Sequence, residues 1–258
     1  MSNGQWRIEN GEWEKRIGSN VIWRFIDSGF DTGANNMSID LKLAENAKSN
    51  KAFFRLYRWE PYCISLGANQ SFDDINIEKA KADNIDVVKR PTGGRAILHA
   101  EEITYSVALP LSVGFSQKEI YEKISNALVK GLILYAPEIS EHIALENEQP
   151  HFPSLLKKDS GSLCFASSAK SEVKFDAKKI IGSAQRKMQN VILQHGSILV
   201  GTFHRKLPEY LNVETNLIEK LKIELAKKTI ELETILKMKV DYRELSECLK
   251  KGFKDEWL

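Results

Sequence analysis

The order in which strand-like and helix-like segments follow one another is the feature that most limits the folds open to this chain. Segments that alternate apolar and polar residues, or that are short and wholly apolar, predict β-strands. They are residues 21–26, 53–59, 63–66, 85–88, 96–99, 104–109, 172–175, 180–187 and 191–200. Helical segments stand between groups of these strands. This order favours an α+β fold, with a mixed, largely antiparallel central sheet flanked by helices, over a doubly wound parallel sheet.

Helices are predicted where apolar residues recur three and four positions apart. Asn36 is predicted to cap the first helix, which has Met37 on its apolar face. Ser116 and Glu119 have the spacing of a capping box ahead of the best apolar repeat. The other helical segments are residues 77–84, 216–225 and 242–253. We expect a polar N-terminal extension over residues 1–20, one main domain over 21–204 and a helical C-terminal portion over 205–258 packed on that domain.

Composition narrows the possible functions. The 258 residues include 37 Lys+Arg and 35 Asp+Glu, a net charge of +2, so no strong field draws the chain to nucleic acid or an anionic membrane. No run of about eighteen apolar residues predicts a membrane span, and the polar start does not resemble a secretory signal. Three cysteines without a C-x-x-C pair argue against a disulfide framework or a structural zinc site. We expect a cytoplasmic protein that binds neither nucleic acid nor membrane.

The loop at residues 90–95, Arg-Pro-Thr-Gly-Gly-Arg, is the first candidate site. Adjacent glycines let the backbone approach a ligand and expose N–H donors, and the flanking Arg90 and Arg95 are able to hold an anion. A tight connection between strands explains the same glycines without a ligand, and the residues alone leave both interpretations open. The loop matches neither the phosphate loop G-x-x-x-x-G-K-[ST] nor a G-x-G-x-x-G motif.

Three small residues, Gly182, Ser183 and Ala184, interrupt a predicted strand and form the second candidate site. Small side chains weaken a strand unless something must pass close to it. A bound acyl chain is one such reason, and the close packing of a helix is another.

Cys164 is the third candidate. It lies among small and polar residues after a predicted loop at 146–160, where a thiol is better placed for reactivity than in a core strand. Cys63 lies in such a strand and is expected to be a small buried apolar group, whereas Cys248 lies on the last helix. The five histidines form no metallohydrolase motif, so no metal is expected. A lone strand histidine such as His195 is more often structural than a base.

Six segments occur in a fixed order along the chain. They read Trp-Arg-Phe-Ile-Asp-Ser-Gly from residue 23, Lys-Arg-Pro-Thr-Gly-Gly-Arg-Ala-Ile-Leu-His from 89, Ile-Thr-Tyr-Ser from 103, Cys-Phe from 164, Lys-Ile-Ile-Gly-Ser-Ala-Gln from 179 and Leu-Gln-His-Gly-Ser-Ile from 193. On these segments the chain resembles the biotin/lipoate protein ligase superfamily, and within it most closely the octanoyltransferases of the LipM type.

The resemblance implies a fold and a set of site residues. It implies a superfamily catalytic domain whose arginine/glycine loop and glycine-serine-alanine strand line an acyl tunnel. Cys164 would form the acyl thioester, with Lys179 as the nearby catalytic lysine. The implied substrate-binding residues are Arg90, Thr92, Gly93, Gly94, Arg95, His99, Gly182, Ser183, Ala184, Gln185, His195 and Gly196.

The resemblance also implies an activity. It is the transfer of an octanoyl group from octanoyl-acyl carrier protein, through a cysteine thioester, to a lysine of a lipoyl carrier domain in lipoate biosynthesis. The acceptor would be a glycine cleavage H protein or a dehydrogenase E2 subunit, and no cofactor is expected. Three alternatives stay open: an ATP-dependent lipoate–protein ligase, an amidotransferase between lipoyl domains, and a non-catalytic binding module.

Overall fold

The computed structural model of this chain describes residues 12–14, 21–47, 50–146 and 172–258. The strands in these ranges are β1 (Glu12–Glu14), β2 (Ile22–Asp31), β3 (Lys51–Trp59), β4 (Cys63–Leu66), β5 (Asp86–Lys89), β6 (Ile97–His99), β7 (Glu102–Pro110), β8 (Ile143–Glu146), β9 (Glu172–Phe175), β10 (Lys178–Met188) and β11 (Val191–Leu199). The α-helices are α1 (Gly33–Asn46), α2 (Ile77–Ala82), α3 (Gln117–Tyr135), α4 (Thr215–Lys228), α5 (Leu232–Leu236) and α6 (Tyr242–Trp257). Among them, none is long and apolar enough to cross a bilayer.

The described strands form two sheets. The larger sheet has the order β1-β2-β3-β7-β11-β10-β9-β8, and the smaller one has the order β5-β4-β6. Within the larger sheet only β2 and β3 run parallel, because the chain crosses over through α1 between them. The prediction of a mixed, largely antiparallel sheet flanked by helices is therefore confirmed.

The start of α1 differs from the sequence prediction. Its N-cap is Thr32, whose hydroxyl accepts from the backbone N–H of Asn35, so the prediction of Asn36 as the cap is wrong. Asn36 lies inside the first turn and is fully buried. Its side-chain amide donates to the backbone carbonyls of Asp31 and Arg58, so this asparagine ties the helix to β2 and β3 instead of capping it.

Strand β2 runs five residues beyond the predicted end at residue 26. The Asp27-Ser28-Gly29 segment forms a bulge, where the register with β3 shifts between Asp27 and Phe30. Gly29 has φ of +63°, which glycine adopts without strain, and its N–H donates to the Asp27 carboxylate. The polar residues therefore stay in the strand.

The other predicted strands and helices agree with the structure, whereas the predicted loop at 146–160 and most of the predicted N-terminal extension over 1–20 lie outside the described residues. The capping box at the start of α3 is complete, because Ser116 accepts from the Glu119 N–H and the Glu119 carboxylate accepts from the Ser116 N–H. The turn between β9 and β10 is formed by Asp176 and Ala177, both with positive φ. Beyond residue 203 the regular structure is helical: a 3-10 helix at Phe203–Tyr210 precedes α4, α5 and α6, with short non-helical connections between them.

Helix α6 packs on α3 through two glycines that face each other. A Cβ on Gly252 would lie 2.3 Å from the Gly131 nitrogen and 2.6 Å from the Ala127 carbonyl oxygen. The close approach of the two helix backbones brings Phe253 against the sheet, where its ring stacks on Phe54 with 4.0 Å between the ring centroids. The helical C-terminal portion thus contributes to the same apolar core as the large sheet.

We predict that Gly252→Ala destabilises the fold. A glycine replaced by alanine in an exposed helix normally gains about 1 kcal/mol of helix stability. Here the added methyl group meets backbone atoms that cannot rotate away, so the helices must separate, at a cost of about 1–3 kcal/mol. Equilibrium urea unfolding measures the difference, with Lys251→Ala at the exposed neighbouring position as the control. Equal unfolding midpoints for Gly252→Ala and the parent would show that the crossing tolerates a side chain.

Candidate active site

A cavity lies between the large sheet, the small sheet and α1. It holds about 350 Å³ of empty space, its mouth included. The lining residues are Met37, Tyr57, Trp59, Ser65, Arg90, Ile97, His99, Thr104, Gly182, Ser183, Ala184, His195, Gly196 and Ser197. The cavity therefore spans four neighbouring strands of the large sheet, from β10 through β11 and β7 to β3.

Most of the predicted substrate-binding residues meet at this cavity. Those that line it are Arg90, His99, Gly182, Ser183, Ala184, His195 and Gly196. Thr92 does not line the cavity but contacts a residue that does: its hydroxyl lies 2.5 Å from His195 Nε2. Gly93, Gly94 and Arg95 belong to the loop that carries Arg90. These three residues do not line the cavity themselves, and neither does Gln185, whose side chain donates to the Gln194 side chain and the Gln117 carbonyl.

The side chains of β10 alternate between the two faces of the sheet. Successive strand residues point to opposite faces of a sheet. The hydroxyl of Ser183 bonds to Tyr105 in the main core, on the same face as Gln185. Gly182 and Ala184 occupy the other face, and their small size leaves room beside the strand.

The Arg90–Arg95 loop is built around the Arg90 side chain. This buried guanidinium donates to the carbonyls of Ser65, Gly93 and Arg95, at 2.7–2.9 Å. Gly94 has φ of +92° and lies so close to Gly67 that a Cβ on Gly67 would be 1.9 Å from the Gly94 oxygen. Arg90 therefore shapes the loop from inside, and the second glycine of the pair serves the loop conformation.

An ion pair between Asp40 of α1 and Arg55 of β3 lies under the cavity. Its atoms are 2.9 Å apart and both side chains are fully buried. The Asp40 carboxylate also accepts hydrogen bonds from the hydroxyls of Tyr57 and Ser106, and Arg55 donates to Asn36. A buried charge needs such partners, because burial without them is costly.

Asp40 also fixes the proton position on His195. Burial would raise the pKa of Asp40, but the hydrogen bond from His195 and the charge of Arg55 hold it below its ordinary value. Burial lowers the pKa of His195 below its ordinary value, so the imidazole is neutral at pH 7. Its Nδ1, 3.2 Å from Asp40 Oδ2, then carries the proton, and its Nε2 accepts from the Thr92 hydroxyl.

A second carboxylate–imidazole group stands on the other side of the cavity. His99 Nδ1 lies 2.8 Å from Glu102 Oε1, and His99 Nε2 lies 2.7 Å from the Ser65 hydroxyl. The Trp59 ring stacks on His99 at 4.2 Å between centroids, and its indole N–H donates to Thr104. Both histidines are thus fixed by a carboxylate and by a hydroxyl.

Lys179 shares a face with the cavity because of a β-bulge. Along a regular strand Lys179 and Gly182, three residues apart, would point to opposite faces. The register of β10 with β9 shifts between Lys179 and Ile181, which adds one residue and reverses the alternation. Lys179 therefore lies on the face of Gly182 and is buried, with its ammonium 2.7 Å from the Glu172 carboxylate.

The predicted nucleophile Cys164 lies outside the described residues, whereas the other two cysteines are described. Cys63 is fully buried, as predicted, and burial together with the charges of Asp86 and Glu102 raises the pKa of its thiol well above the ordinary value. Burial and the charge of Glu244 raise the pKa of Cys248. Both thiols are therefore poor nucleophiles at neutral pH.

Sequence reasoning missed several residues of the site. They are Met37, Asp40, Arg55, Tyr57, Trp59, Ser65, Ile97, Glu102, Thr104, Glu172 and Ser197. Asp40 and Arg55 did carry a signal, since each is a lone charged residue within an otherwise apolar face of a helix or strand. In the ranges that the structure describes, no three histidine, cysteine or carboxylate side chains are grouped as a metal site.

The fold is a mixed sheet with helices packed on it, and one strand, β10, carries both a buried lysine and small residues that line a cavity. Residues 32–254 match the family described as "Lipoyl protein ligase A/B catalytic domain". The chain therefore belongs to this family, and the superfamily predicted from the six segments is confirmed.

Relatives and solved structures agree with this assignment. "Octanoyltransferase LipM" of Clostridioides difficile (strain 630) is 36% identical over 247 residues, which cover 91% of this chain and 87% of that protein. "Octanoyltransferase LipM" of Bacillus subtilis (strain 168) is 32% identical over 242 residues, with 90% and 84% covered. The bi-partite lipoate protein ligase of Thermoplasma acidophilum has a TM-score of 0.66 at 19% identity, with 88% of this chain and 80% of that chain covered. This structural likeness shows the shared fold.

We predict that Arg55→Met strongly destabilises the fold at neutral pH. It leaves the Asp40 carboxylate buried without its charge partner, and breaking a buried pair in this way costs about 3–5 kcal/mol. The pKa of Asp40 is below the ordinary value of about 3.9 in the folded protein, so its stabilising contribution is present above that pH and is lost as the pH falls through the folded value. The deficit of the variant should therefore shrink on acidification.

Urea unfolding at neutral pH and near pH 3 measures this deficit. The exposed pair Lys79–Asp83 provides the control, because solvent screens exposed ion pairs and Lys79→Met should therefore change stability little. A deficit that is small at neutral pH, or constant with pH, would contradict the role given to the ion pair.

Proposed function

We propose that this chain is an octanoyltransferase of lipoate biosynthesis. It takes octanoyl from octanoyl-acyl carrier protein, holds it as a thioester on Cys164, and transfers it to a lysine of a lipoyl carrier domain. The acceptor is a glycine cleavage H protein or a dehydrogenase E2 subunit, and the reaction takes place in the cytoplasm. Relatives named octanoyltransferase across about nine-tenths of the chain support the activity.

The observation that carries the proposal is the buried Lys179 on the cavity face of β10. The ammonium is fixed by Glu172 on the same face of β10 as Gly182, which lines the cavity, and it provides a buried positive charge on that face. Such a charge favours a thiolate over a thiol. The raised pKa values of Cys63 and Cys248 also favour Cys164 as the reactive cysteine.

The reaction exchanges one acyl bond for another. The Cys164 thiolate attacks the carbonyl carbon of the donor thioester, a new carbon–sulfur bond forms, and the donor thiolate leaves and takes up a proton. The acceptor amine, with an ordinary pKa of about 10.4, loses a proton and attacks the acyl-enzyme. The amide forms and the Cys164 thiolate is released. Thioester-to-thioester exchange is nearly neutral in free energy and thioester-to-amide transfer is downhill, so the sequence of steps balances without ATP.

The cavity supplies the selectivity for the acyl chain. Burial of hydrocarbon contributes about 0.8 kcal/mol per CH₂, so an octanoyl chain gains several kcal/mol over an acetyl group. We assign Gly182 and Ala184 to the passage of the chain, because their small side chains leave the space. The Arg90–Arg95 loop, His99 and His195 form the rest of its wall.

An ATP-dependent ligase is the competing assignment, because ligases share this fold. A solved structure entitled "Crystal structure of lipoate-protein ligase A bound with ATP" has a TM-score of 0.64 at 19% identity, and it covers 91% of this chain and 84% of that chain. Such a likeness concerns the fold alone. The relatives above 30% identity carry the octanoyltransferase name, which favours the transferase.

The first prediction on function concerns Cys164. Incubation with octanoyl-acyl carrier protein, without ATP, should add one octanoyl group that hydroxylamine removes. Cys164→Ser should give no hydroxylamine-labile adduct, because an oxygen ester replaces the thioester or nothing forms. Cys248→Ser, at a partly exposed position with a raised thiol pKa, is the matched control and should behave like the parent. Intact-mass spectrometry measures the adduct on the parent, on Cys164→Ser and on Cys248→Ser.

Two results would overturn the proposal. One is unchanged transfer to a lipoyl domain by Cys164→Ala. The other is efficient modification of a lipoyl domain from free octanoate, ATP and Mg²⁺, which would assign the chain to the ligases.

The second prediction on function concerns Lys179. Lys179→Met keeps the length of the side chain and removes its charge. Alkylation of Cys164 should slow at neutral pH, where the cation favours the thiolate, and should change little near pH 10, where a thiol of ordinary pKa is already ionised. Lys178→Met is the control on the opposite face of the strand. If the rate–pH profiles of Lys179→Met and the parent overlap, Lys179 does not activate the Cys164 thiol.

A further inference from the structure

A carboxylate on the neighbouring strand contacts the Lys179 ammonium. Glu172 begins β9, and its carboxylate lies 2.7 Å from Lys179 Nζ, with both side chains about 95% buried. In the β9–β10 ladder Lys174 stands directly opposite Lys179, and Val173 stands opposite Ile181. Residues opposite each other share a face, and so do residues two apart on one strand. Glu172, Lys174 and Lys179 therefore share one face of the sheet.

The backbone around this pair is held from both sides. The Lys179 carbonyl accepts from the Ile230 N–H at 3.0 Å, and Lys179 also forms a parallel bridge to Thr229. The chain that enters α5 therefore covers the edge of β10 beside the bulge. Because the backbone is held in this way, the Lys179 side chain can move only by rotation about its own bonds. The ion pair with Glu172 restricts that rotation.

We propose that Glu172 is a positioning residue that fixes the Lys179 ammonium on the face of β10 that Gly182 presents to the cavity. This inference rests on the proposed function, in which Lys179 activates the cysteine. A buried ammonium that loses its counter-charge is driven toward the neutral amine, and a neutral amine does not stabilise a thiolate. Glu172 thus acts through Lys179 and does not touch the substrate.

The geometry also says why this role falls to Glu172 and not to another charged neighbour. Lys174 is the other ionisable side chain on this face of β9, and it carries the same charge as Lys179. Burial and the charge of Lys179 lower the pKa of Lys174. Lys174 therefore opposes the charge on Lys179, whereas Glu172 supports it.

A double-mutant cycle tests the inference. Glu172→Gln removes the charge and keeps the shape, and it should slow formation of the octanoyl-enzyme at neutral pH by about ten- to a hundredfold, the effect of losing one hydrogen bond to a charged group. Combined with Lys179→Met, it should add no further loss, because Glu172 has nothing left to position. Glu172→Asp, which keeps the charge on a shorter side chain, should give an intermediate rate. Lys174→Met, on the same strand and face, should not slow the reaction.

The pH dependence separates positioning from a structural role. The rate–pH profile of Cys164 alkylation in Glu172→Gln should move toward that of Lys179→Met, whereas a merely distorted site would be slower by the same factor at every pH. Urea unfolding checks that each variant is folded. If Glu172→Gln does not fold, the rate and the pH profile of Glu172→Asp test the inference in its place.

Two outcomes overturn the inference: a parent-like rate in Glu172→Gln, or independent losses that multiply in the double variant. Failure of the proposed function gives a different result, because the parent itself would then form no octanoyl-enzyme. The alkylation profiles would still report the coupling between Glu172 and Lys179.

Discussion

The ion pair between Asp40 and Arg55 connects the parts of the molecule that surround the cavity. It joins α1 to β3, and through the other Asp40 hydrogen bonds it reaches β7 at Ser106 and β11 at His195. An isolated charge at this depth is too costly to keep, so the pair and its hydrogen bonds must form together. The position of α1 over the sheet, and with it one wall of the cavity, follows from that requirement.

Asp40 also helps to fix the loop at residues 90–95, through His195. His195, held by Asp40, accepts from the Thr92 hydroxyl, and Arg90 binds the loop carbonyls from inside. Glu102 and His99 hold Ser65 in the same manner on the small sheet. The polar groups around the cavity thus bond largely to one another. This leaves a space whose shape is set by hydrogen bonds and whose floor along β10 is apolar.

The strands, the capping box and the family could be predicted from the sequence because each depends on local patterns. Their residue patterns identified β3, β10 and β11 as strands, and Ser116 with Glu119 identified the start of α3. The contacts that assemble the site depend on residues far apart in the chain. Asp40 and Arg55 form a pair across α1 and β3, and the choice of Thr32 over Asn36 as the N-cap follows from bonds that Asn36 makes to two strands. A local sequence pattern does not predict which distant residue such a side chain will contact.

The bulge in β10 could not be predicted from the local sequence either, and it decides on which face of the sheet Lys179 lies. Strict alternation from Gly182 places Lys179 on the wrong face, and one extra residue between Lys179 and Ile181 corrects it. That correction brings Lys179 to the face of Glu172, so a single local irregularity in register creates both the burial of the lysine and its pairing. In the proposed function the Lys179 charge stays fixed while the acyl chain enters and leaves. The bulge, the carboxylate on the next strand and the C-terminal segment that covers the strand edge at Thr229 hold the lysine in place.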